Sequence, residues 1–297
     1  MYTRTDVAWW LWVLCWMVLG GCDRPAARAD RARGARSEVL AARPYRLRAA
    51  DEHRPAPLLV ALHGYGSSGE ALARYFRLDE LDGFIVVAPD GTRDVHGNRF
   101  WNATEACCNL FGATVDDVAY LTAVLDDVQA THNVDSRRIY VAGHSNGGFM
   151  ANRLACELAP RIAAIVDVAG AGWYDPARCR PDGAVAVLHV HGDGDAIIRP
   201  AGGRVFDIAH MPPYPSVEAT VGAWTAKNRC PAPPRTAAAR FDFDADVPGE
   251  ETRVDRWERC ARGDVERWTV EGGSHTPAFT PSFARELGRF LRAHPKR

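Results

Sequence analysis

From about residue 57 onward, short unbroken apolar runs alternate with segments in which apolar residues recur every three or four positions. The runs are Pro57–Leu62, Phe84–Ala88, Arg138–Ala142, Ile165–Val168 and Val185–Val190. A strand with one wet face alternates apolar and polar side chains, so unbroken runs predict parallel strands covered on both faces. Between them, Val118, Leu121, Leu125 and Val128 share one helical face after Asp116-Asp117, a carboxylate pair suited to cap a helix and meet its positive end. Met150, Leu154 and Leu158 repeat the spacing after Gly147-Gly148, and Ser216–Asn228 and Ser282–Ala293 predict two later helices. This alternation predicts an α/β fold, a mostly parallel doubly wound sheet flanked by helices. One domain over residues 40–297 is long enough to bury such a core.

The N-terminal end departs from the pattern. Arg4 precedes an apolar run, Val7–Leu19, which is too short for a comfortable membrane span and reads as the core of a signal peptide. Leu19-Gly20-Gly21-Cys22 is similar to the bacterial lipobox, so residues 1–21 are expected to be removed and Cys22 to carry lipid. Asp23 is similar to an inner-membrane retention signal. The alternatives are cleavage by the general signal peptidase or an uncleaved anchor helix. Residues 22–39 are rich in Arg and Ala with few large apolar side chains, a composition that predicts a tether whose charge can meet anionic headgroups.

Lys and Arg number 36 against 37 Asp and Glu, without a basic stripe, which excludes an electrostatic footprint for nucleic acid. Export changes how the cysteines read, because oxidising compartments permit disulfides. With Cys15 in the signal and Cys22 lipidated, Cys107, Cys108, Cys156, Cys179, Cys230 and Cys260 remain, and without a C-x-x-C pair they favour bridges over zinc. Cys230 and Cys260 flank a Pro- and Asp-rich segment and are expected to pair. Cys107 and Cys108 are expected to divide Cys156 and Cys179 between them, with buried free thiols as the alternative.

The sharpest local pattern is Gly143-His144-Ser145-Asn146-Gly147, set between a predicted strand and a predicted helix. A nucleophilic serine has to stand on a tight strand-to-helix turn, and glycines on either side remove the Cβ atoms that would block it. Serine attacks poorly until a base takes its proton, so an acid and a histidine should follow in that order. The Val185–Val190 strand runs into His191-Gly192-Asp193-Gly194-Asp195, which offers Asp193 or Asp195. Trp268-Thr269-Val270 leads to Glu271-Gly272-Gly273-Ser274-His275. His294 lies in the tail and His210 in a Pro-rich loop with no strand before it, which leaves His275 as the base.

Leu62-His63-Gly64-Tyr65-Gly66, Ala88-Pro89-Asp90-Gly91 with Trp101-Asn102, Val115-Asp116-Asp117-Val118, the serine turn, His191-Gly192-x-x-Asp195 and Gly272-Gly273-x-His275 occur in that order. Over about residues 40–293 the set resembles the polyhydroxybutyrate depolymerase and feruloyl esterase family. The resemblance implies the α/β-hydrolase fold and a serine carboxylic ester hydrolase. Its acyl-enzyme would form on polyhydroxyalkanoate-type oligoesters or on feruloyl or acetyl esters. It implies Ser145 as nucleophile, His275 as base and Asp195 as acid, with Asp193 a loop or cap carboxylate. The backbone N–H groups of Tyr65 and Asn146 would form the oxyanion hole. No metal or cofactor is implied, and Asp116-Asp117 read as a helix cap rather than a calcium site. His63 is expected to buttress its loop, and His144 and His191 to pack beside the site.

One departure concerns the histidine loop. Many family members continue it as His-Thr-Trp-Pro-Gly, where this chain has His275-Thr276-Pro277-Ala278-Phe279. Trp101 and Trp224 are then the candidates to line a substrate subsite, although core packing competes for a Trp in a predicted helix. The sequence ends with its last predicted helix, which favours soluble or oligomeric esters over polymer granules, and no protein partner is implied. The same triad would serve a thioesterase or a peptidase, and the fold alone would serve a non-catalytic surface lipoprotein.

Overall fold

The computed structural model describes Gly34 and residues 36–50, 53–231 and 233–296. The expected signal segment, Cys22 and most of the tether lie outside the described residues. Packing separates Met1–Glu38 from Val39–Arg297. Among the described residues no helix is long and apolar enough to cross a membrane.

The chain begins its sheet with β1 (Tyr45–Arg48) and β2 (Ala56–Leu62), then forms helix α1 (Gly69–Tyr75), β3 (Ile85–Pro89) and a small hairpin of β4 (Thr92–Arg93) and β5 (Arg99–Phe100). Helix α2 (Asp117–Thr131), β6 (Val134–His144), α3 (Asn146–Glu157), β7 (Ala164–Val168) and β8 (Ala186–Gly192) follow. The last third holds α4 (Val217–Lys227), β9 (Arg235–Thr236), β10 (Thr252–Trp257), β11 (Val265–Val270) and α5 (Pro281–Ala293). The main sheet has the order β1-β3-β2-β6-β7-β8-β11-β10-β9. Its six central strands, from β3 to β11 in that order, are parallel, whereas β1 pairs antiparallel with β3, β10 with β11 and β9 with β10.

The unbroken runs reflect burial on both faces. Leu58, Val60 and Leu62 of β2 join one core with Tyr120, Leu121, Met150, Leu154 and Trp224, whereas Leu59 and Ala61 join the other with Leu72, Phe283 and Leu287. Each Leu or Val so buried contributes about 1.5–3 kcal/mol. The helix starts follow the cap chemistry: Asp116 accepts from the Ala119 N–H, Ser216 from Ala219 and Thr280 from Ser282. Asp117 is instead paired, 2.7 Å from Arg43 and 2.7 Å from the Asn102 N–H. Because the central strands are parallel, the loops after β2, β6, β8 and β11 leave the sheet along one carboxyl edge, where ligands of open α/β sheets bind.

Cys230 pairs with Cys260 as expected. The other expectation is corrected: Cys107 bonds to Cys108, and Cys156 to Cys179. Cys156 lies on the last turn of α3 and Cys179 follows the short turn Pro176–Arg178, which brings their Cα atoms to 5.3 Å, an ordinary bridging distance. Cys107 and Cys108 are instead buried under the Asn146 side chain, whose Nδ2 lies 3.7 Å from Cys107 Sγ. Three disulfides fit an oxidising, extracytoplasmic compartment.

Candidate active site

β6 ends at His144 and α3 begins at Asn146, which leaves Ser145 alone at the turn with φ 55° and ψ −120°. A residue with a Cβ adopts that backbone only where its surroundings enforce it. Here they do. A Cβ on Gly143 would sit 2.1 Å from the Gly147 carbonyl oxygen, and one on Gly147 would sit 1.9 Å from that of Leu62. The two glycines let β6, α3 and the end of β2 close around the serine. Ser145 lines a cavity of about 340 Å³ together with Gly64, Tyr65, Leu72, Tyr75, His144 and His275. A larger hollow of about 540 Å³, ringed by Arg46, Arg48, Arg74 and Arg77, lies elsewhere and touches none of the predicted site residues.

The loops after β8 and β11 bring Asp195 rather than Asp193 to His275, with Asp195 Oδ2 2.7 Å from His275 Nδ1. Asp195 is 3% exposed, and its Oδ1 accepts from the Ile197 and Ile198 N–H groups. Burial alone would raise this carboxyl. Hydrogen bonds from His191 and His275 outweigh it and hold Asp195 well below the usual carboxylate range. Asp193 accepts from the Gly272 N–H at 2.6 Å and so ties the two loops together.

His63 donates from Nδ1 to the Gly64 carbonyl and accepts the Gly91 N–H at Nε2, so both ring nitrogens are spent on the loop that carries Tyr65. Burial lowers its pKa and keeps the ring neutral. The Tyr65 hydroxyl donates to Asp94 at 2.5 Å, and burial together with that bond pushes the phenol up to about 12. As the first residue of α3, Asn146 has a backbone N–H with no acceptor inside its helix.

His144 does more than pack. A carbonyl can only accept, so the 2.8 Å contact from His144 Nε2 to the His275 carbonyl fixes the His144 proton on Nε2 and anchors the His275 backbone. Burial, and then the neighbouring His275, push His144 down to about 4. Tyr75 and Leu72 of α1 line the cavity without having stood out in the sequence, because a seven-residue helix carries too few periodic positions to be seen.

The two tryptophans are corrected. Trp101 is fully buried and donates its indole N–H to the His63 carbonyl, while its backbone N–H donates to Asn146 Oδ1 and its carbonyl accepts from Asn146 Nδ2. Trp224 is 3% exposed and donates to Asn152 Oδ1 at 2.7 Å. Each is held in the core by its one polar atom, so neither faces the cavity.

A family model described as esterase PHB depolymerase matches residues 45–179. The putative esterase NocK of Nocardia uniformis subsp. tsuyamanensis is 34% identical over 279 residues, covering 84% of this chain and 75% of that protein. The chain belongs to the esterase PHB depolymerase family. Feruloyl esterase B of Piromyces equi is 27% identical over 230 residues, or 75% of this chain, which spans only 40% of that relative. Among solved structures, an acetyl xylan esterase from Aspergillus awamori superposes with a TM-score of 0.59 at 17% identity, over 83% of this chain and 93% of that one. That likeness places this family esterase in the α/β-hydrolase fold. Membership makes it a carboxylic ester hydrolase.

Proposed function

We propose that the chain is a serine esterase in which Ser145 attacks, His275 is the general base and Asp195 orients it. The observation that carries the reading is the 2.7 Å contact between the buried Asp195 and His275, which lines the same cavity as Ser145. His275 Nε2 takes the Ser145 proton as the hydroxyl adds to the ester carbonyl. Asp195 accepts from Nδ1–H and stabilises the imidazolium that forms. The N–H groups of Tyr65 and Asn146 receive the developing oxyanion. The alcohol departs with the proton from His275, and water repeats the attack to release the acid.

The substrates we propose are polyhydroxyalkanoate-type oligoesters or feruloyl or acetyl esters, a range supported by the names of the relatives. The catalytic domain would span residues 40–297 behind a 22–39 tether, anchored outside the cytoplasm by lipid on Cys22. Intact mass of the mature N-terminus tests the anchor. The activity is tested by turnover of p-nitrophenyl butyrate, methyl ferulate, an acyl-thioester and a peptide amide by wild type and Ser145→Ala. Ser145-dependent hydrolysis of the oxygen esters is expected. Turnover confined to the thioester or the amide would contradict it.

A further inference from the structure

Behind Asp195 lies a row of buried polar side chains that the triad does not use. Asp167 of β7 and His189 of β8 are register partners in adjacent parallel strands, and His191 lies two residues further along the same face. All three are at most 4% exposed. Asp167 Oδ2 lies 3.0 Å from His189 Nδ1, and His189 Nε2 lies 3.1 Å from His191 Nδ1. His191 Nε2 then meets the Ile198 carbonyl at 2.7 Å and Asp195 Oδ2 at 3.2 Å. The far end is fixed as well. The Trp224 indole can only donate, so it sets the Asn152 amide, which in turn donates to Asp167 Oδ2 at 2.7 Å.

Counting protons along this row gives a constraint. Both ends are acceptors, so the three contacts need three protons. Two neutral imidazoles bring only two N–H groups. A third proton, on Asp167 or on the imidazole pair, closes the row. Asp167 Oδ1 is buried without a hydrogen-bond partner, a costly place for a full carboxylate charge. In every closed arrangement the Ile198 carbonyl and Asp195 face an N–H on His191 Nε2.

We propose that Asp167, His189 and His191 are positioning residues, a proton-closed row that fixes Asp195 and withdraws charge from it through His191. The proposal rests on the triad reading above. It explains why two imidazoles and a carboxylate occupy a layer where the neighbouring β7 and β8 positions are apolar. The other titratable groups facing this cluster are His275, His144, Tyr75 and Tyr214.

The test is kinetic, on the full mature chain with p-nitrophenyl butyrate. His191→Phe removes the donor and is expected to lower kcat about 10–100-fold, with KM within about twofold. With less charge withdrawn from Asp195, the acidic limb of the kcat/KM profile moves to higher pH. His191→Gln keeps an N–H near the Nε2 position and is expected to restore kcat to within about fivefold of wild type. Unchanged kcat in His191→Phe, or equal damage in Phe and Gln, overturns the proposal. Ser145→Ala is run alongside. If turnover survives it, the triad reading falls and this proposal with it, whereas a dead Ser145→Ala beside fully active His191 variants removes this proposal alone. Should His191→Phe not fold, ¹⁵N spectra of histidine-labelled wild type decide: a proton on His191 Nε2 is expected, and a bare Nε2 overturns the row.

Discussion

Gly147→Ala tests how the turn that carries Ser145 is built. The added Cβ would lie 1.9 Å from the Leu62 carbonyl oxygen, 2.5 Å from the Leu62 carbonyl carbon and 2.8 Å from the His63 carbonyl oxygen. All three are backbone atoms, so no side chain can swing aside, and the end of β2 must retreat by about 1 Å or more from α3. Overpacking of this kind costs about 1–3 kcal/mol, and in a domain of this size each kcal/mol lowers Tm by roughly 2–4 °C. The effect on rate is larger. The displaced backbone leads directly into Tyr65, and a misplacement of about 1 Å at a reacting centre costs on the order of 10²-fold. Gly222→Ala is the control, since its Cβ meets nothing within 4 Å inside α4, and it should raise stability by up to about 1 kcal/mol with kcat unchanged. Thermal melts and p-nitrophenyl butyrate kinetics read both variants. A Gly147→Ala protein with wild-type Tm and kcat would refute the packing argument.

Three further outcomes follow from named contacts. Asp195→Asn should lower kcat by about 10⁴-fold by stranding the His275 tautomer, whereas Asp193→Asn, whose side chain accepts from the Gly272 N–H, should stay within about tenfold; the reverse order in steady-state kinetics refutes the assignment of the acid. His144 binds its proton more weakly folded, near pH 4, than unfolded, near 6.5, so its share of stability is complete above about pH 6.5 and is lost as pH falls toward 4, at up to about 1.4 kcal/mol per unit. Urea unfolding at pH 4.5, 5.5 and 6.5 should therefore show a flatter dependence in His144→Gln, and an identical slope would count against it. The Lys296 ammonium donates to the carbonyls of Ala159, Ile162 and Ala184, so Lys296→Met should cost about 2–3 kcal/mol in urea melts without changing KM, and a variant as stable as wild type would show that the C-terminal contact is idle.

Most of the fold was legible because its signals are local. Five apolar runs correspond to β2, β3, β6, β7 and β8, the start residues Asp116 and Ser216 stand where α2 and α4 begin, and the helix expected from Ser282 begins one residue earlier, behind the cap Thr280. The run from Arg138 fell short of β6, which starts at Val134, because Asp135, Ser136, Arg137 and Arg138 are polar and partly or fully exposed. β1, at one edge, and β10, next to the short edge strand β9, were not visible either, because both mix charged with apolar residues. At the site, Ser145 and His275 stand out by order and loop context, whereas the residues alone leave Asp193 and Asp195 open and only the family resemblance favours Asp195. What the sequence withheld was contact across the fold. Trp101 and Trp224 were candidates for a substrate subsite with core packing as the competitor, and their indole N–H groups, bonded inside the core, decide for packing. Cys156 could not be matched to Cys179 before the turn at Pro176–Arg178 brought the two together. His144 and His191 read as packing, since a ring's partners are set by neighbouring loops rather than by its own segment.

The central claim is that Ser145 is the nucleophile of an acyl-enzyme. The most direct measurement is the mass of the protein after reaction with a fluorophosphonate ester, followed by peptide mapping of the adduct. A single adduct on the peptide that contains Ser145, formed by wild type and absent from Ser145→Ala, is the predicted result. An adduct on another residue, or an unmodified protein that still hydrolyses p-nitrophenyl butyrate, would contradict the account.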